Sequence, residues 1–187
     1  MGRTYDAITD ELATWIADQP VFFVATAPLD ADGHVNVSPK GGDTFRVVSP
    51  HEVAYLDLTG SGAETIAHIR DNGRLTVMFC SFDAKPLILR LYGQATYVRP
   101  GDPGWDDLAP RFPDHPGARA VIHLAVDRVA SACGYAVPQM ELVGPRTRLD
   151  EWAAKRGDDG LVAYRAEKNR TSIDGLPAFD AAPSPTP

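Results

Sequence analysis

The sequence is poor in the features that usually announce a chemistry. Two cysteines, Cys80 and Cys133, occur in 187 residues. They lie far apart with no Cys-x-x-Cys spacing, which argues against a disulfide framework or a cysteine zinc site and fits a reducing cytosol. The five histidines (34, 51, 68, 115 and 123) form no i, i+4 pair and no ligand spacing, so no metal is expected. There is no Gly-x-Ser-x-Gly elbow, since Gly60-Ser61-Gly62 is too short for one, and the carboxylates are scattered without an evident acid/base pair. The sequence therefore names no catalytic residue. Basic patches are also missing: with a formal net charge of −7, nucleic acid and anionic membrane are poor partners. No apolar run is long enough to cross a membrane, and the first twenty residues lack the layout of a signal peptide, so a cytoplasmic protein is expected.

What is present is a core. Hydrophobic residues make up 44% of the chain, enough for one domain at this length, expected over residues 1–178 with a disordered tail over 179–187. Residues 4–18 read as an amphipathic helix, because Ile8, Leu12, Trp15 and Ile16 recur at helical spacing. The period then drops to two. "VFFVATA", "HVNVS", "FRVVS", "EVAYLDL", "RLTVMFCSF" and "LILRLYGQATYV" read as strands joined by short turns. "ARAVIHLAVDRVASACG" is apolar at alternate positions on both sides, as a strand closing a barrel would be. Beyond residue 99 a helical extension is expected to about 178, with a helix after Thr147-x-x-Asp150 that stops at Gly157. The fold class expected is mostly β: an antiparallel barrel with peripheral helices.

Two strings carry polar groups in patterns worth weighing. In "YLDLTGSGAETIAHIRDNG" (55–73) a strand runs through a glycine turn into a helix. Ser61-x-x-Glu64 matches a capping box and places the helix start near Gly62. Free backbone N–H groups, the helix dipole and the hydroxyls of Thr59, Ser61 and Thr65 would suit a phosphate. The same string also makes a plain strand-to-helix corner, and the residues alone leave both open. Gly60-x-Gly62-x-x-Thr65 with Asp83 downstream resembles a dinucleotide fingerprint, but that motif needs parallel βαβ units, and turn-joined strands do not provide them. His68 is expected to face solvent, and Cys133 to be a small buried side chain.

In "HVNVSPKGGD" (34–43), Val35 and Val37 share one strand face, so His34, Asn36 and Ser38 share the other. Pro39 is expected to stop the ladder, and Lys40-Gly41-Gly42 offers a cation on a loop that a ligand can approach closely. A solvent-facing edge strand with a glycine turn gives the same pattern.

Together "NVSPKGGD", "AYLDLTGSGAETIAHIRDNGRLTVMFC" and "LYGQATYV" resemble the pyridoxamine 5'-phosphate oxidase-like flavoproteins, the FMN-binding split barrels. The resemblance covers residues 8–98. It implies a six-stranded antiparallel split barrel, a homodimer, and FMN in clefts between the subunits. By position, Asn36, Val37, Ser38, Lys40 and Gly41 would line the isoalloxazine edge and ribityl chain. Leu58, Thr59, Ser61, Gly62 and Thr65 would surround the phosphate, and Arg90 and Gln94 would reach the flavin from either subunit. The implied activity is an oxidoreductase passing hydride between NAD(P)H, or a reduced small-molecule substrate, and flavin. A deazaflavin-dependent reductase on the same barrel, or a non-enzymatic flavin- or haem-binding dimer, are the alternatives. The departures are equally specific. The Ser-Arg-Lys-Gly phosphate clamp of the true oxidases is absent, with no basic residue between Tyr55 and Ala67, and their Arg-x-His pair has no counterpart. The vitamin-oxidising activity therefore does not come with the barrel.

Overall fold

The computed structural model describes residues 2–179; most of the expected tail, from residue 180, lies outside them. Eight strands form one antiparallel sheet: β1 (Arg3–Tyr5), β2 (Phe22–Thr26), β3 (Asn36–Lys40), β4 (Phe45–Ser49), β5 (Glu52–Leu58), β6 (Arg74–Cys80), β7 (Ile88–Val98) and β8 (Ala118–Ala132). The helices are α1 (Asp10–Ala17), α2 (Glu64–Asn72), α3 (Trp105–Leu108) and α4 (Arg148–Lys168). The sheet order is β3-β2-β6-β7-β8-β5-β4, with β1 added on β8.

β3 and β4 are consecutive in the chain but stand at opposite ends of that order. The two ends nevertheless meet. Phe22 on β2 packs against Phe45 on β4 with ring centroids 4.9 Å apart, and Lys40 on β3 reaches Asp57 on β5 at 3.1 Å. Side chains rather than backbone bonds bridge the gap, so the sheet curls into a barrel that stays split between β3 and β4. The mostly-β, antiparallel split barrel expected from the sequence is what forms, with eight strands rather than six: seven in the main order and β1 paired on β8.

The core is the inner face of this curl. Val24, Val77, Leu89, Leu91 and Ile122 are inaccessible to solvent. β8 is apolar on both faces because it is covered twice: by this core within, and without by a second cluster in which Val121 packs with Ala54, Leu56 and Phe112 under α3. A bulge between β7 and β8 falls at Tyr92/Gly93. A Cβ at Gly93 would overlap the Ala125 carbonyl, so the close approach of the two strands requires glycine there.

Several local expectations shift. Residues 3–5 are a strand, and α1 begins only after Thr9, whose hydroxyl accepts from Leu12 N at 3.3 Å. Pro39 does not end β3; it pairs with Phe23, because β3 is an edge strand whose outer side needs no N–H. α4 does not stop at Gly157. That residue breaks it at φ 66°, ψ 175° and the helix resumes to Lys168. Cys133 is exposed, since it lies just past the end of β8. No helix among the described residues is long and apolar enough to cross a membrane.

Candidate functional site

The alternation in β3 holds, but its polar side faces inward. Asn36, Ser38 and Lys40 are half-buried while Val35 and Val37 stand 70% and 61% exposed. An inward polar row is sustained only if each group finds a partner, and these do. Asn36 Nδ2 donates to the hydroxyls of Thr26 (3.2 Å) and Thr65 (3.1 Å), and Ser38 Oγ donates to Asn36 Oδ1 (3.0 Å). Thr26 Oγ1 also bonds His68 Nδ1 at 2.9 Å. His68, expected in solvent, is fully buried, because α2 is covered on its outer side by the segment after α4. There Arg70 donates to the Ala178 carbonyl. Burial holds the His68 pKa below its usual value despite Asp174, Glu64 and Asp71 nearby. Two buried polar atoms in this region lack hydrogen-bond partners, His68 Nε2 and the Tyr55 hydroxyl. Burial, and then the Asp57 charge, push the Tyr55 pKa well above the usual range; Thr65 acts weakly the other way without reaching bonding geometry.

Lys40 ends the polar row on a carboxylate. Asp57, on β5, is 1% exposed and receives Lys40 Nζ at 3.1 Å and Arg119 Nε at 2.7 Å. Burial alone would raise its pKa, but Arg119 and Lys40 outweigh burial and hold it below the ordinary carboxylate value. Arg119 then spreads its remaining donors over the glycine turn: Nη1 to Asn169 Oδ1 at 2.8 Å and Nη2 to the Gly62 carbonyl at 3.0 Å. Asn169 Nδ2 donates to the Gly60 carbonyl at 2.9 Å.

The turn itself differs from the capping box. α2 starts at Glu64 with Ala63 as its cap and no side-chain capping bond. The Glu64 carboxylate folds back over Gly62, so Ser61 stays exposed. Thr59 is fully buried: its N–H and hydroxyl both donate to the Gly117 carbonyl at 2.7 and 2.8 Å, and its Oγ1 accepts from Arg165 Nε at 2.8 Å. Arg165, on α4, also donates to the Ala118 carbonyl at 3.0 Å. It is half-buried, and burial followed by the neighbouring Arg119 charge lowers its pKa. No carboxylate among the described residues lies within ion-pair distance of it.

The sequence-derived residues thus fall into two groups. Asn36, Ser38, Lys40, Thr59 and Thr65 line one connected polar interior, with Gly41, Ser61 and Gly62 in the loops at its mouth; Leu58, the last residue of β5, packs instead on the second apolar cluster with Leu56 and Phe112. Val37, Arg90 and Gln94 project from the opposite face of the sheet, where Gln94 borders an open groove of about 430 Å³ with Thr26, Val35, Arg74 and Tyr92. Sequence reading missed Arg119, Arg165, Asn169 and His68. Arg119 left one signal, a charge within the apolar run "ARAVIHLAV"; the others are joined to the turn only by long-range contacts.

Residues 8–133 match the family model described as pyridoxamine 5'-phosphate oxidase. The chain is 42% identical over 197 aligned positions to the pyridoxamine 5'-phosphate oxidase family protein ustO of Aspergillus flavus, covering 95% of this chain and 78% of that one. Among solved structures it is similar to HupZ of Group A Streptococcus, at 25% identity and TM-score 0.51 over 65% of this chain and 91% of that one. A candidate pyridoxamine 5'-phosphate oxidase from Lactobacillus delbrueckii shares the fold, at 23% identity and TM-score 0.52 over 67% of this chain and 94% of that one.

Proposed function

The chain belongs to the pyridoxamine 5'-phosphate oxidase family, and from that premise we propose that it is a homodimeric flavin-binding oxidoreductase that holds FMN by its phosphate at the 59–62 turn. One observation carries this reading: Lys40, Arg119 and Arg165, from three separate elements, converge beside a turn that contains no basic residue of its own. Against them stand the buried Asp57 and the folded-back Glu64, so positive charge remains in excess. The residues fit a phosphate at the open part of the turn. Gly60 looks onto open space, Ser61 is exposed, and the half-buried Arg165 has room to share its charge. Arg119 serves mainly to lock the turn, since its donors are already committed to Asp57, Asn169 and Gly62.

A bound flavin would supply the two-electron chemistry. The chain's own residues would position it: Asn36 Oδ1 and Ser38 Oγ by accepting hydrogen bonds, since their protons are already donated within the inner row, and Lys40 and the Gly41 backbone beside its polar edge. Arg90 and Gln94 lie on the outer face, so they would serve a flavin only if that face meets a second copy. The substrate is a small molecule, with NAD(P)H a natural electron donor to try.

The test is the visible spectrum of freshly purified full-length protein, followed by FMN titration. Bands at about 375 and 450 nm, or tight uptake, support the reading. Arg165→Ala and Lys40→Ala should each weaken uptake by roughly 10- to 100-fold, the worth of a charge-assisted hydrogen bond. A colourless protein that ignores FMN defeats it. A Soret band would point to haem, and a single band near 420 nm to a deazaflavin.

A further inference from the structure

Between β8 and α4 the chain runs through residues 133–147 without regular structure. Its backbone is tied by Val137 N to the Gly134 carbonyl and by Met140 N to the Phe82 carbonyl, each at 2.9 Å. On this arm Tyr135, Met140, Leu142 and Val143 are 79%, 60%, 66% and 100% exposed. Single exposed apolar residues are ordinary, but four within nine residues of one irregular segment leave an apolar strip uncovered.

A second uncovered surface lies on the outer face of the sheet. Strand register lines up two rows there: Val37, Ala25, Thr76, Tyr92 and Arg128, and beside it Pro39, Phe23, Met78, Arg90 and Ala130. All ten are half-buried or exposed. Apart from the hydroxyls of Thr76 and Tyr92, the polar side chains in these two rows are Arg90 and Arg128. Arg74, Arg90 and Arg128 have no carboxylate within ion-pair distance among the described residues; Asp127 borders the groove on this face, and Asp71 lies near enough to Arg74 to feel its charge. The arm is the converse, because between Gly134 and Gly144 its sole charged residue is Glu141.

We infer that the arm of each copy lies across the outer sheet face of a second copy, with Glu141 among the arginines and Met140, Leu142 and Val143 on the apolar rows. The two surfaces match in charge and in apolar character, and one chain carries both. A two-fold pair therefore covers both at once, as an isologous interface does. Reach is sufficient. Five strands span about 19 Å at roughly 4.8 Å per gap, and the seven residues 138–144, beyond the turn closed by Val137 N and the Gly134 carbonyl, cover about 23 Å when extended. The net charge of −7 repels a second copy at long range, so this local complementarity has a specific task. The inference rests on the dimer part of the function proposed above and assigns the element that makes it. It also brings the face bearing Arg90 and Gln94 against a partner.

Sedimentation equilibrium of the full chain tests this without reference to flavin. Wild type should be a dimer at micromolar concentration. Leu142→Asp combined with Val143→Asp should raise the dimer dissociation constant at least about 100-fold; the far-UV circular dichroism spectrum should stay native because both residues are exposed, and the melt should fall only by what the lost association contributed. Glu141→Arg and Arg90→Glu should each weaken the dimer, and the two together should restore most of it. A monomeric wild type overturns both this inference and the dimer proposal. A dimer unmoved by the double aspartate variant, or a charge swap no better than its single reversals, overturns the arm and leaves the flavin reading to its own spectrum.

Discussion

Asp57 keeps its charge inside the barrel because Arg119 and Lys40 share it, each within 3.1 Å. Removing one partner of such a group costs more than the pair contributes, since the remaining charge stays buried. Arg119→Met should therefore destabilise the fold by about 3–5 kcal/mol in urea unfolding, and Asp57→Asn by less than Arg119→Met. Acid should act in two stages. The native-state pKa of His68 is lowered by burial, so below about pH 6.5 the unfolded chain takes up a proton that the native one refuses. Stability then falls as pH drops. Asp57 is also lowered; its contribution is present above the unfolded value near pH 3.9 and is lost as pH falls through the native one. Unfolding midpoints measured from pH 8 to 3 should show both slopes, and His68→Gln, which can keep a bond to Thr26, should lack the upper one. An unchanged upper slope in that variant would assign it to another histidine. Sequence alone could find the alternation of Asn36 and Ser38, but neither its direction nor its continuation through Pro39 to Lys40. The apolar Val35 and Val37 look like the core side, and only Thr26, Thr65 and Asp57 from other elements make the polar side the inner one.

Elements were legible where their pattern is local. The barrel strands and α2 follow from two- and 3.6-residue periods, and the apolar two-sidedness of β8 correctly marked a strand covered on both faces. The errors came where a distant segment overrides a local signal. The capping box at Ser61 gives way because Arg119 and Asn169 hold the turn's carbonyls, and the stop at Gly157 becomes a break because Ala153 and Leu161, on either side of it, are both buried. Two substitutions test these joints. At Gly157, φ 66° and ψ 175° lie in a region other residues scarcely enter, so Gly157→Ala should cost roughly 1–3 kcal/mol and loosen any ligand that depends on Arg165 further along α4. Gly93→Ala should be more severe, because the added methyl meets the Ala125 backbone rather than a movable side chain. A thermal melt within a degree or two of wild type for Gly93→Ala would mean that the bulge relaxes.

At the scale of the molecule, the barrel and the segment behind it form one structure rather than a domain with an appendage. Sequence patterns divide them near residue 99, since residues 99–117 are rich in proline, glycine and charge. Yet residues 118–132 supply the strand that pairs with β1, β5 and β7. Downstream, Leu161, Asn169 and Ala178 are buried, and Phe179 packs on Tyr97 at 6.1 Å between ring centroids and lies 5.3 Å from the Arg119 guanidinium. Asp174 clasps His34 through its ring at 2.6 Å and its backbone N–H at 2.8 Å, closing the far end over the entry to β3. Such contacts span more than a hundred residues and leave no trace in any local window. They predict that a chain ending at residue 147 will not keep a native barrel. It would lose the partners of Thr59 and of the Gly60 carbonyl and uncover α2 with His68 inside it. Equilibrium unfolding of that truncated chain should show no cooperative transition, or a midpoint far below wild type, and amide exchange should find α2 and β3 unprotected. If the shortened chain unfolds cooperatively near the wild-type midpoint, the barrel is self-sufficient. The C-terminal residues then act on the turn alone, and their loss should appear in ligand uptake rather than in stability.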